Sequence, residues 1–311
     1  MPARDTETLT IGEHRVQISN SDKILFPATG ITKGEYVDYY QRIAPYILEY
    51  IRDRPLSMER FPEGIEGEKF YQKEVPKYFP EYVKRVDVKP DEETPTLYAM
   101  AENEASIVYL ANLVTIPHIW MSCTSDLRKP DRMVWDLDPM DLSFAEVKMA
   151  AKLLRYLLNE LGVIGYPMLT GSRGIHIVAF VPPEEDVETI FDFTKKVAQL
   201  ITRKLPRLFT VTYTKSKRGK KIYVDYHRNV YAQTAVAPYA ARAIEGAPIA
   251  FPVTWEDVDD DKLDAQTFTI RNVSERLDAE GISWSHIERV RDLGSARERL
   301  GELLHRSRIS G

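Results

Sequence analysis

The sequence has very little cysteine and no long apolar run. Cys123 is the single cysteine among 311 residues, which excludes an internal disulfide, and no Cys/His cluster of the zinc-ligand kind is present. No stretch approaches the ~20 apolar residues of a membrane span, and the first residues lack the apolar segment of a signal peptide. These absences predict a soluble cytoplasmic protein that has no membrane partner.

Neither sign of charge dominates the composition. Lys and Arg number 42 against 47 Asp and Glu, a net charge of −5, and 43% of the residues are hydrophobic. These values exclude collagen-like, disulfide-scaffold and intrinsically disordered classes, and any binding of nucleic acid must depend on local charge. The length is sufficient for a sizeable core, in one large domain or in two closely packed modules.

The middle of the chain has the most regular hydrophobic pattern. Met133–Trp135 is typical of a buried strand, and Ser143 and Glu146 form a capping box that begins a helix ended by Gly162. The further elements expected here are a strand at 175–181, a helix at 187–205, and strands at 208–213 and 221–226. This β-α-β-α-β-β order predicts a sheet with helices on one face.

The flanking regions give weaker signals. The N-terminal third is mixed α/β, with a capping box at Thr32 and Glu35 and a second helix at 106–114. The acidic run 256–264 is interpreted as a solvated loop, and the tail after Thr267 as helical.

Two strand ends carry carboxylates. Asp136 and Asp138 are separated by one residue, so on a strand both point to the same face while Leu137 faces the core. Asp225 closes a second apolar strand. Paired carboxylates repel each other unless a cation lies between them, and hard oxygen ligands suit Mg²⁺ or Mn²⁺. The three could form a two-metal phosphoryl-transfer site, although either strand end could equally be a surface feature.

A glycine-containing segment, Thr170-Gly171-Ser172-Arg173-Gly174-Ile175-His176, offers backbone amides, two hydroxyls, a guanidinium and an imidazole to an anion. The spacing is neither a Walker loop nor a dinucleotide fingerprint. A plain hairpin turn is the alternative.

Local positive charge is concentrated late in the chain. Residues 195–224 contain ten Lys or Arg and no Asp or Glu, and the cluster around Gly219 is expected in an exposed loop. Contact with a phosphate backbone is the natural interpretation. Aromatics alternate with lysines in Lys69-Phe70-Tyr71-Gln72-Lys73, which suits base stacking or a strand in the core.

Together these motifs resemble the primase-polymerase domain of bacterial DNA ligase D, a member of the archaeo-eukaryotic primase superfamily. The resemblance runs from Asp22-Lys23 to the Trp255 region and rests on several motifs in the same order. They are Pro27-Ala28-Thr29-Gly30, Arg54-Pro55-Leu56-Ser57, Pro130-Asp131-Arg132, Asp136-Leu137-Asp138-Pro139, Thr170 to His176, Val224-Asp225-Tyr226 and Ala237-Pro238-Tyr239.

The resemblance implies an α/β (α+β) fold in which an RRM-like antiparallel catalytic sheet packs on an N-terminal α/β module. We expect one catalytic domain over residues 1–311, with an N-terminal module at 1–125, the RRM-like module at 126–265 and a helical tail at 266–311. The implied activity is template-directed nucleotidyl transfer that fills gaps and extends ends in non-homologous end joining, with a preference for ribonucleotides and two Mn²⁺ or Mg²⁺ ions.

Residue roles follow from the same resemblance. The implied metal ligands and catalytic residues are Asp136, Asp138 and Asp225. The implied nucleotide-binding residues are Thr170, Ser172, Arg173, His176, Arg228, Arg242 and His118. Lys23 and Lys33 would bind the 5′-phosphate of the downstream strand, and Phe70 and Tyr71 would stack on the template. Residues 73–84 and the loop with Lys217, Arg218 and Lys220 would contact DNA ends.

The chain departs from the family pattern in three places. Thr170 replaces the usual Ser, Arg173 replaces a common Lys, and Tyr71 stands where Phe is frequent. A chain of 311 residues leaves no room for ligase and phosphoesterase domains, so we expect a separate Ku and ligase, and a dimer of the chain could span a break.

The alternatives are a replicative or lesion-bypass primase and a non-catalytic DNA end-bridging module. Phosphatase or sugar-transferase chemistry would explain the Asp136 and Asp138 pair alone.

Overall fold

The structure is a computed structural model that describes residues 6–89, 95–280, 284 and 286–309. The chain forms two compact units, each built from separate segments of the sequence. Unit 1 comprises Met1–Ser125, Thr234–Phe251 and Phe268–Gly281, and unit 2 comprises Asp126–Gln233, Pro252–Thr267 and Ile282–Gly311. The expectation that residues 1–311 act as one catalytic domain stays a prediction.

Unit 1 is built on an antiparallel sheet with three helices. Its strands are β1 (Thr6–Ile11), β2 (His14–Ser19), β3 (Ile24–Phe26), β4 (Ile31–Thr32), β5 (Leu56–Arg60), β6 (Phe70–Gln72), β7 (Lys84–Val88), β8 (Thr96–Met100), β9 (Thr115–Trp120) and β15 (Thr234–Val236). Its helices are α1 (Lys33–Ile51), α2 (Glu104–Asn112) and the later α6 (Val273–Glu280). The strand order in the main sheet is β15-β9-β5-β8-β7, with β6 paired to β5.

Unit 2 is built on a second sheet. Its strands are β10 (Arg132–Pro139), β11 (Tyr166–Leu169), β12 (Ile175–Phe180), β13 (Phe209–Thr210) and β14 (Ile222–Asp225), and its helices are α3 (Phe144–Glu160), α4 (Val187–Lys204), α5 (Trp255–Asp259) and α7 (Leu293–Ile309). The order is β13-β14-β10-β12-β11, continued by β16 (Phe251–Pro252), whose Pro252 belongs to this unit.

The pairings confirm the expected mixed α/β fold with an antiparallel central sheet. β10 lies between β12 and β14 and is antiparallel to both, while the short edge strand β13 is parallel to β14. Both α3 and α4 pack on β10. The buried aromatic Trp135 anchors this packing, because its indole N–H donates to the backbone oxygen of Thr194 on α4 at 3.0 Å.

Capping signals locate the helix starts well. Thr32 and Glu35 form the predicted capping box of α1, and Ser143 and Glu146 form that of α3. The acidic run was expected as a solvated loop, but part of it is the short helix α5. Another capping box, between Thr254 and Asp257, satisfies backbone N–H groups at the start of this helix.

The strand expected at 208–213 is much shorter than predicted, since β13 ends at Thr210. The hydroxyl of Thr210 accepts from the backbone N–H of Thr212 at 3.1 Å, which turns the chain out of the sheet. Within the described residues, no helix is both long and apolar enough to cross a membrane.

Candidate active site

The carboxylates predicted from the sequence come together on the central strands of unit 2. Asp136 on β10 is in register with Asp225 on β14 and with His176 on β12, so the three form one row across the sheet. Asp138 lies two residues further along β10 and therefore points to the same face. Directly opposite residues of antiparallel strands have neighbouring side chains, so this row and Asp138 form one polar site.

Asp136 is a partly buried carboxylate that lies between His176 and Arg228. His176 Nε2 and Arg228 Nη2 each lie 3.5 Å from Asp136 Oδ2. Burial acts to raise the pKa of Asp136, but the charges and hydrogen bonds of His176 and then Arg228 outweigh it and lower that pKa to about 2. Asp136 therefore keeps its negative charge at any physiological pH.

Asp138 has the opposite balance. Arg173 Nη2 lies 3.2 Å from its Oδ1, and Arg218 Nη1 lies 3.1 Å from its Oδ2. Even so, desolvation and the nearby charge of Asp136 raise the pKa of Asp138 above its ordinary value. Asp138 is therefore less readily ionised than an ordinary aspartate, despite its two guanidinium partners.

Asp225 is oriented by the turn that follows it. Its Oδ1 accepts from the backbone N–H of His227 at 2.9 Å and lies 3.1 Å from His227 Nδ1. Arg228 Nε lies 3.7 Å from Oδ2, which links Asp225 to the arginine that also faces Asp136. The buried side chain of Asn229 closes this turn onto β10 by bonding both the N–H and the carbonyl of Val134.

The Gly-rich segment forms the hairpin turn between β11 and β12, and several of its backbone N–H groups bond within the turn. Thr170 Oγ1 accepts from the N–H groups of Ser172 and Gly174 at 3.3 and 3.2 Å. Gly171 has a φ of +64°, which suits glycine. A Cβ on Gly174 would collide with the backbone oxygen of Leu137, so the turn lies directly against β10.

The carboxylate site suits hard divalent cations by its chemistry. Among the described residues, no group of three or more His, Cys, Asp or Glu side chains converges as a ready metal cluster. The donor set of Asp136, Asp138 and Asp225 nevertheless consists of carboxylate oxygens, the ligands that Mg²⁺ and Mn²⁺ prefer. A cation beside Asp138 would also relieve the repulsion that raises its pKa.

The basic loop differs from its expected form at one position. Its centre is a short 3₁₀ turn at Lys215–Lys217, and Lys217 and Lys220 are exposed as expected. Arg218 was expected to be exposed with them, but its side chain is only 5% exposed. It donates to the carbonyls of Thr212 and Tyr213 and to Asp138, and its guanidinium lies 3.7 Å from the ring centre of Tyr223.

The two candidate 5′-phosphate lysines lie in unit 1. Lys33 is buried and its Nζ donates to the backbone oxygen of Ser19 at 2.6 Å, while Lys23 forms an ion pair with Glu63 at 2.6 Å. Burial, followed by the charges of Lys23 and Arg60, lowers the pKa of Lys33 to about 8. These three cations are therefore close enough to repel one another, which a bound anion would offset.

Three other candidate residues of unit 1, Tyr71, His118 and Arg242, interact with Glu59 of β5. Glu59 Oε2 accepts from the hydroxyl of Tyr71 at 3.3 Å and lies 3.0 Å from His118 Nε2. Arg242, by its charge, also acts to lower the pKa of Glu59. Tyr71 and Phe70 are 61% and 40% exposed, so both rings are open to solvent.

Several residues of these sites were missed by the sequence analysis. They are Glu59, His227, Tyr223 and Asn229. His227 and Tyr223 flank the predicted Asp225 and could have been found as its sequence neighbours. For Glu59 and Asn229 the sequence gives no signal, because their partners are distant in the chain.

This fold and polar site have known counterparts. Residues 32–284 match the family of the LigD primase-polymerase domain, and the chain belongs to this family. The polymerase domain of Mycobacterium tuberculosis ligase D, solved in complex with DNA, superposes with a TM-score of 0.80 at 29% identity. That likeness covers 87% of this chain and 96% of the solved chain, and it confirms the predicted fold class.

Curated relatives are multifunctional or bifunctional non-homologous end-joining LigD proteins. The one from Mycolicibacterium smegmatis is 32% identical over 273 residues, and the one from Pseudomonas aeruginosa is 31% identical over 284 residues. The matches cover 86% and 89% of this chain, but only 35% and 34% of those proteins. The chain thus spans about a third of the length of these relatives.

Proposed function

We propose that this protein is a template-directed nucleotidyltransferase that fills gaps and extends ends during non-homologous end joining. The observation that supports this most is the row of Asp225, Asp136 and His176 across three neighbouring strands, with Asp138 on the same face. Phosphoryl transfer needs converging carboxylates beside groups that hold a polyphosphate, and the row combines both. Membership of the primase-polymerase family supports the same reaction class.

Asp136, Asp138 and Asp225 would hold two divalent ions, Mg²⁺ or Mn²⁺. When bound, the ions would lower the pKa of a primer 3′-hydroxyl and neutralise charge on the triphosphate. The chain's own contribution is to keep Asp136 ionised. His176 and Arg228 perform this for Asp136, whose pKa is about 2.

The triphosphate would be held by the turn between β11 and β12. The hydroxyls of Thr170 and Ser172 and the guanidinium of Arg173 lie on this turn, in which Thr170 Oγ1 accepts from the N–H groups of Ser172 and Gly174. Arg173 already faces Asp138 at 3.2 Å, so a phosphate bound there would lie next to the carboxylate site. Arg228, His118 and Arg242 are proposed as further nucleotide contacts.

The DNA would be recognised through charge and stacking in unit 1. Lys23 and Lys33 would bind a downstream 5′-phosphate, because phosphates are bound in proteins mainly by cationic side chains. The exposed rings of Phe70 and Tyr71 would stack on the template, and Lys217 and Lys220 would contact the backbone. We further propose ribonucleotide preference, and Ku and a ligase as partners in repair.

The test is extension of a labelled primer on a gapped duplex, with and without a downstream 5′-phosphate, using rNTPs or dNTPs and Mn²⁺ or Mg²⁺. Templated addition that requires Asp136 and Asp138 and increases with the 5′-phosphate supports the proposal. A protein that binds the gap and adds nothing with either metal would be an end-bridging module instead.

A further inference from the structure

Glu59 occupies a position on β5 that joins two functional side chains of unit 1. It lies directly opposite Tyr71 on β6, and on its other side it is opposite Ile116 of β9. His118 is two residues beyond Ile116 and is paired with Ser57, so it is the diagonal neighbour of Glu59 on the same face. Diagonal neighbours are within reach of long side chains.

One oxygen atom of Glu59 lies within hydrogen-bonding distance of both Tyr71 and His118. Oε2 accepts from the Tyr71 hydroxyl at 3.3 Å and is 3.0 Å from His118 Nε2. The two rings are also in edge contact, with centres 5.5 Å apart. The three side chains therefore form a closed triangle of contacts rather than two separate pairs.

The Glu59 carboxylate determines which nitrogen of His118 carries a proton. Burial acts to raise the pKa of Glu59, but the hydrogen bond and charge of His118, then Arg242 and Tyr71, lower it below its ordinary value. An ionised carboxylate only accepts hydrogen bonds, so His118 must carry its proton on Nε2. The bond thereby fixes both the orientation and the proton position of the His118 ring.

The hydroxyl of Tyr71 gives this chain a link that a phenylalanine would lack. Tyr71 is 61% exposed, so its hydroxyl bonds Glu59 while much of its ring is open to solvent for stacking. Glu59 is more deeply buried than Tyr71, with a side chain only 16% exposed, and it connects Tyr71 to His118.

We propose that Glu59 is a positioning residue that couples the stacking of the template base on Tyr71 to the placement of His118 at the incoming nucleotide. This inference rests on the proposed function, since it assigns Tyr71 to the template and His118 to the nucleotide. The consequence is that templated addition depends on the Glu59–Tyr71 bond, whereas untemplated addition to a single strand does not.

The experiment compares Tyr71→Phe, Glu59→Gln and the double variant in single-nucleotide addition on a gapped duplex. Each change retains side-chain shape while weakening or removing the shared bond. We expect each single variant to lower kcat/KM for templated addition roughly three- to tenfold, the effect of one hydrogen bond. The double variant should be no worse than the more impaired single variant, because both changes act on the same Glu59–Tyr71 bond.

Two further readouts separate positioning from a general loss of structure. Fluorescence of 2-aminopurine at the template position should be quenched less in Glu59→Gln, which keeps the Tyr71 ring, than in wild type, and the ratio of templated to untemplated addition should fall in Tyr71→Phe. Tyr156→Phe and Glu256→Gln, exposed residues of unit 2, are the matched controls and should retain wild-type rates.

Additive losses in the double variant, or single variants with wild-type kcat/KM and quenching, would overturn the inference. A wild-type protein that adds no nucleotide at all would instead refute the proposed function. The two failures are thus distinguishable in the same assay.

Discussion

Asp136 of β10 and His176 of β12 lie directly opposite each other, with His176 Nε2 3.5 Å from Asp136 Oδ2. The hairpin turn that supplies candidate phosphate contacts therefore continues into a strand whose His176 lies beside a candidate metal ligand. The pairing links these two parts of the site through a single sheet register, and a slip of one residue would point His176 to the other face.

The carboxylates should be required for chemistry but not for binding. Asp136→Asn or Asp138→Asn should reduce primer extension by about a thousandfold or more, because metal stabilisation of the transition state contributes several kcal/mol. Affinity for gapped DNA, measured by anisotropy, should change little. Asp141→Asn is the control, since Asp141 is exposed and its positive φ is tolerated by Asn.

The lysines of unit 1 should act on recognition and not on catalysis. Lys23→Ala or Lys33→Ala should reduce the slope of log affinity against log salt by roughly one, because each removes one phosphate contact. The preference for a 5′-phosphorylated gap should fall with it, while addition at saturating DNA is retained. Lys262→Ala, an exposed residue of unit 2, should leave the slope unchanged.

The lowered pKa of Lys33 predicts a pH dependence. In the folded protein Lys33 loses its proton as the pH rises through about 8. In the unfolded chain its pKa returns to the ordinary value of 10.5, so the side chain stays charged to a higher pH. Between these values the unfolded state binds more protons, so this group makes folding stability increase with pH. Binding of a 5′-phosphate has the opposite dependence and should weaken from pH 7 to pH 9.

The measurement is the ratio of affinities for gaps with a 5′-phosphate and a 5′-hydroxyl at each pH. Lys33→Arg stays charged throughout and should retain a flat ratio. A wild-type ratio that is equally flat would contradict the assignment of Lys33.

Replacement of Gly174 by a larger residue should destabilise the protein for a steric reason. In Gly174→Ala the new Cβ meets the backbone oxygen of Leu137, so β10 and the turn must separate. We expect a loss of about 1–3 kcal/mol in the free energy of unfolding, the usual cost of overpacking. The matched change Gly301→Ala in α7 has open space around it and should be neutral or stabilising by up to ~1 kcal/mol. Urea unfolding of both variants checks the contrast.

Arg218 should hold its loop in place. Arg218→Ala removes the donors to Thr212, Tyr213 and Asp138, each worth about 1 kcal/mol net. Amide exchange in residues 212–218 should become about tenfold faster or more. Lys217→Ala, which changes an exposed neighbour, should leave the exchange rates near those of wild type.

The parts of the fold that follow local rules were predictable from the sequence. The capping boxes at Thr32 and Ser143 begin helices as expected, and the apolar run before Asp136 is the central strand β10. The alternation of β10 also predicted that Asp136 and Asp138 share a face. Each of these features depends on residues within a few positions of one another.

Features that depend on distant partners could not be predicted. The burial of Arg218 requires Asp138, 80 residues away, and the role of Glu59 requires His118, 59 residues away. A basic stretch is usually a solvated loop, so charge alone predicted Arg218 in solvent. The assignment of 234–251 to unit 1 is likewise a property of packing and leaves no local mark in the sequence.

The late return of the chain to unit 1 has a consequence for synthesis. β15 pairs with β9 through Thr234 and Trp120, so a ribosome releases one strand long before its neighbour. At 5–20 residues per second the delay is roughly 5 to 25 seconds. During that time the buried strand β9 would have an open edge toward solvent, a known route to aggregation. Slower translation or a shortage of chaperones should therefore lower the yield of this protein before any mature molecule is affected.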